Sequence, residues 1–101
     1  LNEPHGFFSN RWLTTIIIDK LKFSNIDREK VRIELLKENI ESRPLWKPMH
    51  MQPLYKSCSF YGADTCEKIF NNGLCLPSGS SLDEVDKDRI RKILCNIFNL
   101  D

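Results

Sequence analysis

The chain has 101 residues, of which 41% are hydrophobic and 29% charged, the composition of one soluble globular domain. That length excludes a large self-contained enzyme and leaves room for a single modest core. Lys and Arg number 15 against 14 Asp and Glu, a formal net charge of +1, so the chain offers no broad field to a phosphate backbone, and nucleic acid is excluded as a generic partner.

The longest apolar run is Ile16-Ile17-Ile18, against the ~20 residues that cross a bilayer. No basic start followed by an apolar stretch marks a signal peptide. The chain therefore reads as cytoplasmic, with no membrane partner. Cys58, Cys66, Cys75 and Cys95 are separated by seven, eight and nineteen residues, without the close pairs of a zinc site, so they read as reduced structural thiols and not as metal ligands. The first residue is leucine and a strand follows almost at once, which suggests a piece of a longer chain.

Arg11 to Ile18 is dense in β-branched and aromatic residues and predicts a strand. Both of its alternating faces are largely apolar, so it is expected to lie centrally in a sheet, covered on both sides. Asp27 can cap a helix from Arg28 to Asn39, with Val31, Ile33, Leu35, Leu36 and Ile40 as its apolar arc. The prolines at 44, 48 and 53 make 41–53 an irregular strand and crossing loop.

Ala63, Cys66, Ile69 and Phe70 are spaced for one face of a short helix, with Gly73 placed for a left-handed cap. Leu74 to Pro77 reads as a brief buried strand. The last helix is capped by Ser81 with Glu84 or by Asp83 with Asp86, and carries the stripe Val85, Ile90, Ile93, Leu94, Ile97, Phe98. The order β-α-β-α-β-α implies a small α/β (α+β two-layer) domain, a short mainly antiparallel sheet with helices on one face. The other face then needs a cover.

The most unusual stretch is Arg43-Pro44-Leu45-Trp46-Lys47-Pro48-Met49-His50. If it is extended, Arg43 and Lys47 project to one side and Trp46 and His50 to the other, with ~13 Å between the two cations. Arg as a fork and Lys as a point charge suit an anionic ligand; the plainer reading is two solvated side chains. His50 is either a proton relay or a packed residue, and Trp46 and Trp12 are either core or a stacking platform. Ser78-Gly79-Ser80-Ser81 before a helix fits an anion nest or simple capping, and the acids of the first turn favour capping.

Three blocks, Asn10-Arg11-Trp12-Leu13-Thr14, Glu41 to Pro53, and Gly73 to Ser80, together resemble the C-terminal part of the pyridoxal phosphate-dependent sugar aminotransferases of the DegT/DnrJ/EryC1/StrS group. The likeness runs from about Ser9 to Phe98 and is most similar to members that aminate nucleotide-linked 4-keto-6-deoxy sugars for surface glycans and protein glycosylation, pilin glycosylation included. The resemblance implies a small C-terminal domain of a fold-type I aminotransferase at 11–101, with 1–10 as the lead-in from a large domain outside this chain.

It further implies pyridoxal 5'-phosphate held mainly by that large domain, a Schiff-base lysine that is none of the lysines here, and an inactive isolated chain. Glutamate and a nucleotide-linked keto-sugar are the implied substrates and a homodimer the implied assembly. Arg43, His50, Lys47 and Trp46 are carried over as substrate-binding residues, Lys47 toward phosphate. Alternatives left open are a non-catalytic α/β ligand-binding module, a protein-docking subunit, and a family variant that dehydrates its substrate.

Overall fold

A computed structural model describes residues 3–100. Three strands, β1 (Thr14–Ile17), β2 (Arg43–Pro44) and β3 (Gly73–Leu76), form one antiparallel sheet in the order β1-β3-β2. Three helices, α1 (Arg28–Lys37), α2 (Thr65–Asn72) and α3 (Glu84–Phe98), complete the α+β domain, with two single 3-10 turns at Met49–Met51 and Pro53–Tyr55. The expected fold class holds.

The core sits on one face of the sheet. Leu74 of β3, Val31 and Leu35 of α1, and Ile18, Ile26 and Ile40 are buried together. Ile16 and Leu76 join from the sheet and Ile90, Ile93, Leu94, Ile97 and Phe98 from α3. Ile16 stands opposite Leu74 in the register, and strand alternation sends Ile16, Leu74 and Leu76 to this face and Thr15, Ile17 and Cys75 to the other.

Helix ends follow local chemistry. The Asp27 carboxylate accepts the Lys30 amide at the start of α1. At its end Asn39 takes φ of 57°, and the amides of Asn39 and Ile40 donate to the carbonyls of Leu36 and Leu35. This is a Schellman closure, and its hydrophobic contact is Ile40 on Leu35. At α3 the capping box is Asp83 with Asp86, which decides against Ser81 with Glu84. Asn99 closes α3 in the left-handed region, with the Leu100 amide on the Cys95 carbonyl.

Several expectations are corrected. The first strand is not central: β1 lies at the edge and the short β3 occupies the middle. The run starts at Thr14 and not at Arg11, because Arg11 adopts φ of 52° and breaks the extended backbone. Gly73 does not cap α2 in the left-handed region; its φ is −98° and it opens β3 directly. The helix from Arg28 ends at Lys37, and Ile33 and Leu36 of its predicted arc are exposed, as is Val85 of the α3 stripe. Ala63 lies outside α2, whose Cys66 and Ile69 are exposed. In the proline segment only Arg43–Pro44 is strand, so the alternation predicted to reach His50 stops where the first 3-10 turn begins.

Candidate substrate groove

Asn10 begins the local geometry of the site. Its Oδ1 accepts the Trp12 amide at 3.2 Å, an Asx turn that, with the left-handed Arg11, turns Trp12 outward ahead of β1. Trp46 lies two residues beyond Pro44, where the strand that pairs with β3 ends. The two indoles meet with ring centroids 5.8 Å apart and planes inclined at 38°, inside the range of productive aromatic pairs. They stay wet, 69% exposed at Trp12 and 67% at Trp46. Neither belongs to the core.

Below them runs an open groove of about 390 Å³, walled by Trp12, Trp46, Glu41, Ser42, Arg43 and the Cys75–Ser78 segment. The Arg43 guanidinium is held by Glu41, with Nε donating to Oε1 at 2.8 Å and Nη2 in ion-pair contact with the same oxygen at 2.7 Å. Ser42 is 8% exposed, and its Oγ has no hydrogen-bond partner among the described residues. Ser78 fixes the far wall: its Oγ accepts the Thr14 amide at 2.7 Å and donates to the Leu76 carbonyl at 2.9 Å. The serine-glycine stretch thus serves sheet closure, and Asp83 serves the cap.

His50 lies elsewhere. It lines a second cleft with Tyr55, Cys58, Phe60 and Cys66. Its Nε2 is 2.9 Å from Glu67 Oε1 on α2, and its ring stacks on Phe60 with centroids 3.8 Å apart. Lys47 is exposed on the loop between the two places, with its carbonyl accepting from Gln52 Nε2. Of the four residues predicted for the site, then, Arg43 and Trp46 share the groove, His50 occupies its own cleft, and Lys47 lines neither.

Sequence reasoning weighed Trp12 and missed Ser42, Glu41 and Glu67 as neighbours of these residues. The signal for Trp12 was Asn10, a turn former placed two residues before an indole. Nothing in spacing could have paired Glu67 with His50, since α2 brings them together through tertiary packing.

A pyridoxal phosphate site needs a desolvated amine that forms a covalent bond to the carbonyl carbon. Every lysine of this chain is exposed, and Lys37, Lys68 and Lys87 are ion-paired with Glu34, Asp64 and Glu84. The described residues therefore do not fit the covalent half of that cofactor's site. What they build is an open groove lined by two indoles and an Arg43–Glu41 pair.

The sequence model of the DegT/DnrJ/EryC1/StrS aminotransferase family matches residues 2–95. EpsN of Bacillus subtilis, named for a pyridoxal phosphate-dependent aminotransferase, is 41% identical over 95 residues, which are 90% of this chain and 24% of that protein. The GDP-perosamine synthase of Vibrio cholerae is 32% identical over 98 residues, 96% of this chain and 26% of that one. A crystal structure of a DegT DnrJ EryC1 StrS aminotransferase from Brucella abortus superposes with a TM-score of 0.71 at 26% identity, covering 85% of this chain and 22% of its own. Helicobacter pylori PseC shares the fold at a TM-score of 0.72 and 18% identity, covering 86% and 23%. The chain spans about a quarter of the length of the curated relatives it matches. Fold, motif order and family match converge, and the chain belongs to the DegT/DnrJ/EryC1/StrS aminotransferase family.

Proposed function

We propose that this chain is the substrate-facing C-terminal domain of a pyridoxal phosphate-dependent aminotransferase that moves an amino group from glutamate to a nucleotide-linked keto-sugar in bacterial glycan or glycoprotein synthesis. The observation that carries the reading is the family match over residues 2–95 of a chain whose groove is lined by Trp12, Trp46, Glu41 and Arg43. When bound, the cofactor's ring acts as electron sink for the transfer; this chain's residues bind and orient.

In this reading Arg43 and Trp46 contact the substrate from the groove. Lys47 reaches its phosphate as a point charge. His50 meets the substrate side from the neighbouring cleft, with Glu67 and Phe60 fixing its ring. The reading includes a cytoplasmic homodimer. The shape supports a domain built to be covered: its radius of gyration is 15.9 Å, against about 13 Å for a compact body of ~100 residues, and Ile17, Trp12, Trp46, Met49 and Leu54 are all exposed. Trp12 and Trp46 touch one another, and exposed apolar surface of this kind suits an interaction site.

The test is the absorbance of the full-length protein before and after glutamate. A yellow band that glutamate bleaches supports the reading. A colourless protein that glutamate leaves unchanged overturns it, and promotes a non-catalytic binding module.

A further inference from the structure

Of the four cysteines, Cys75 lines the groove below the indoles and Cys95 a cleft beside α3, whereas Cys58 and Cys66 line one and the same cleft of about 390 Å³, the one that holds His50. Both are exposed. Free cysteine is among the most buried residue types, so two accessible thiols in a single cleft depart from the packing role. Seven residues separate them. Cys58 follows the second 3-10 turn, with its amide donating to the Tyr55 carbonyl, and Cys66 stands in the first turn of α2.

His50 touches both arms of the segment between them. Phe60, two residues after Cys58, stacks on its ring with centroids 3.8 Å apart, and Glu67, next to Cys66, meets its Nε2 at 2.9 Å. Between the arms stands Gly62, whose φ of 147° only glycine adopts readily, so the chain is free to turn there. Two exposed thiols on opposite arms of one short loop, held to a common neighbour, form the arrangement in which one thiol resolves a mixed disulfide made on the other.

We propose that Cys58 and Cys66 form a reversible disulfide, by exchange with a low-molecular-weight disulfide such as oxidised glutathione, that clamps the 58–66 loop around His50. The thiolate of one cysteine attacks a glutathione sulfur and expels one glutathione thiolate; the second cysteine then attacks the sulfur of the first and expels the other. Two protein thiols are oxidised, the external disulfide is reduced to two glutathione thiols, and the two protons pass from the cysteines to the glutathiones. The bond fixes the two Cα atoms at about 4.4–6.8 Å and so ties the loop to the first turn of α2, with Phe60 and Glu67 locked against the imidazole. A pair that stays open in the resting protein belongs with the transient, redox-sensing disulfides of reducing compartments and not with structural ones. It stands on the geometry of this cleft and is independent of the aminotransferase reading.

The test treats the native full-length protein with oxidised glutathione, quenches it with acid and digests it with trypsin. Both cysteines fall in the tryptic peptide 57–68, since no Lys or Arg lies between Lys56 and Lys68. The expected result is that this peptide loses the mass of two hydrogens, carries no glutathione, and regains the hydrogens with dithiothreitol. Carbethoxylation of His50 by diethyl pyrocarbonate should slow several-fold in the oxidised protein and recover on reduction. Cys58→Ser, a change at an exposed position, should instead leave one glutathione on Cys66. A wild-type peptide that keeps glutathione without closing the ring, or that stays fully reduced, overturns the proposal. So does a His50 that reacts equally fast in the two redox forms.

Discussion

Gly73 touches the loop that carries the groove. A Cβ built on it would stand 2.5 Å from the Ile69 carbonyl oxygen and closer still to Cδ1 of Leu45, the residue between Pro44 and Trp46. The glycine is needed for close approach, where α2 passes straight into β3, and its backbone is otherwise ordinary. Gly73→Ala is expected to cost about 1–3 kcal/mol through overpacking. Leu45→Ala should recover part of that loss in the double variant, since the two share one contact. Chemical denaturation of the four proteins of the cycle measures both effects; strictly additive losses would contradict the contact.

The C-terminal helix tests the assignment of its cap. Asp83 accepts the Asp86 amide at 2.8 Å, and the Asp83 amide donates back to the Asp86 carboxylate at 3.4 Å. Asp83→Ala should lower stability by about 1 kcal/mol. Ser81→Ala should change it by no more than about 0.5 kcal/mol, the usual range for a surface position. Equal losses at the two positions would place the cap elsewhere.

Leu74 is fully buried in the central strand and meets both packing helices. Leu74→Ala is expected to cost about 2–5 kcal/mol, a large share of the ~5–15 kcal/mol that holds a domain. The midpoint of a urea titration checks it.

Burial pushes the Cys75 thiol above its ordinary range, while Cys58 and Cys66 lie exposed. Alkylation of the native chain should therefore label Cys58 and Cys66 well before Cys75. The sign for stability follows from linkage: the folded form favours the neutral thiol, so its contribution is present below the unfolded thiol's pKa of ~8.5 and falls as pH rises beyond it. A Cys75→Ala variant should show a shallower alkaline loss of stability, read by thermal melts across pH 8–10; identical slopes would contradict it.

The three helices and the strand at 74–76 were legible because capping residues and apolar periodicity act locally: Asp27, Asp83 and the Ile90–Ile93–Leu94–Ile97 stripe each specify their element within one or two turns. The edge position of β1 was not legible, because an apolar alternation such as that of Ile16, Ile17 and Ile18 describes a strand and not its neighbours, and Ile17 in fact stands 62% exposed. The Gly73 misreading has the same root, since the Leu45 side chain that demands a glycine comes from a distant loop. At the site, the composition of the Arg43–His50 block singled it out, but its prolines hid the geometry. The 3-10 turn Met49–Met51 takes His50 out of the extended run and toward Glu67, and only tertiary packing sets that distance.

The most direct measurement separates the two half-reactions in the full-length protein bearing Arg43→Ala. The account predicts that glutamate still bleaches the cofactor band at the unaltered rate while kcat/KM for the keto-sugar falls by roughly tenfold or more, the worth of a hydrogen bond to a charged group. An unchanged kcat/KM for the keto-sugar, or a loss confined to the glutamate step, would contradict it.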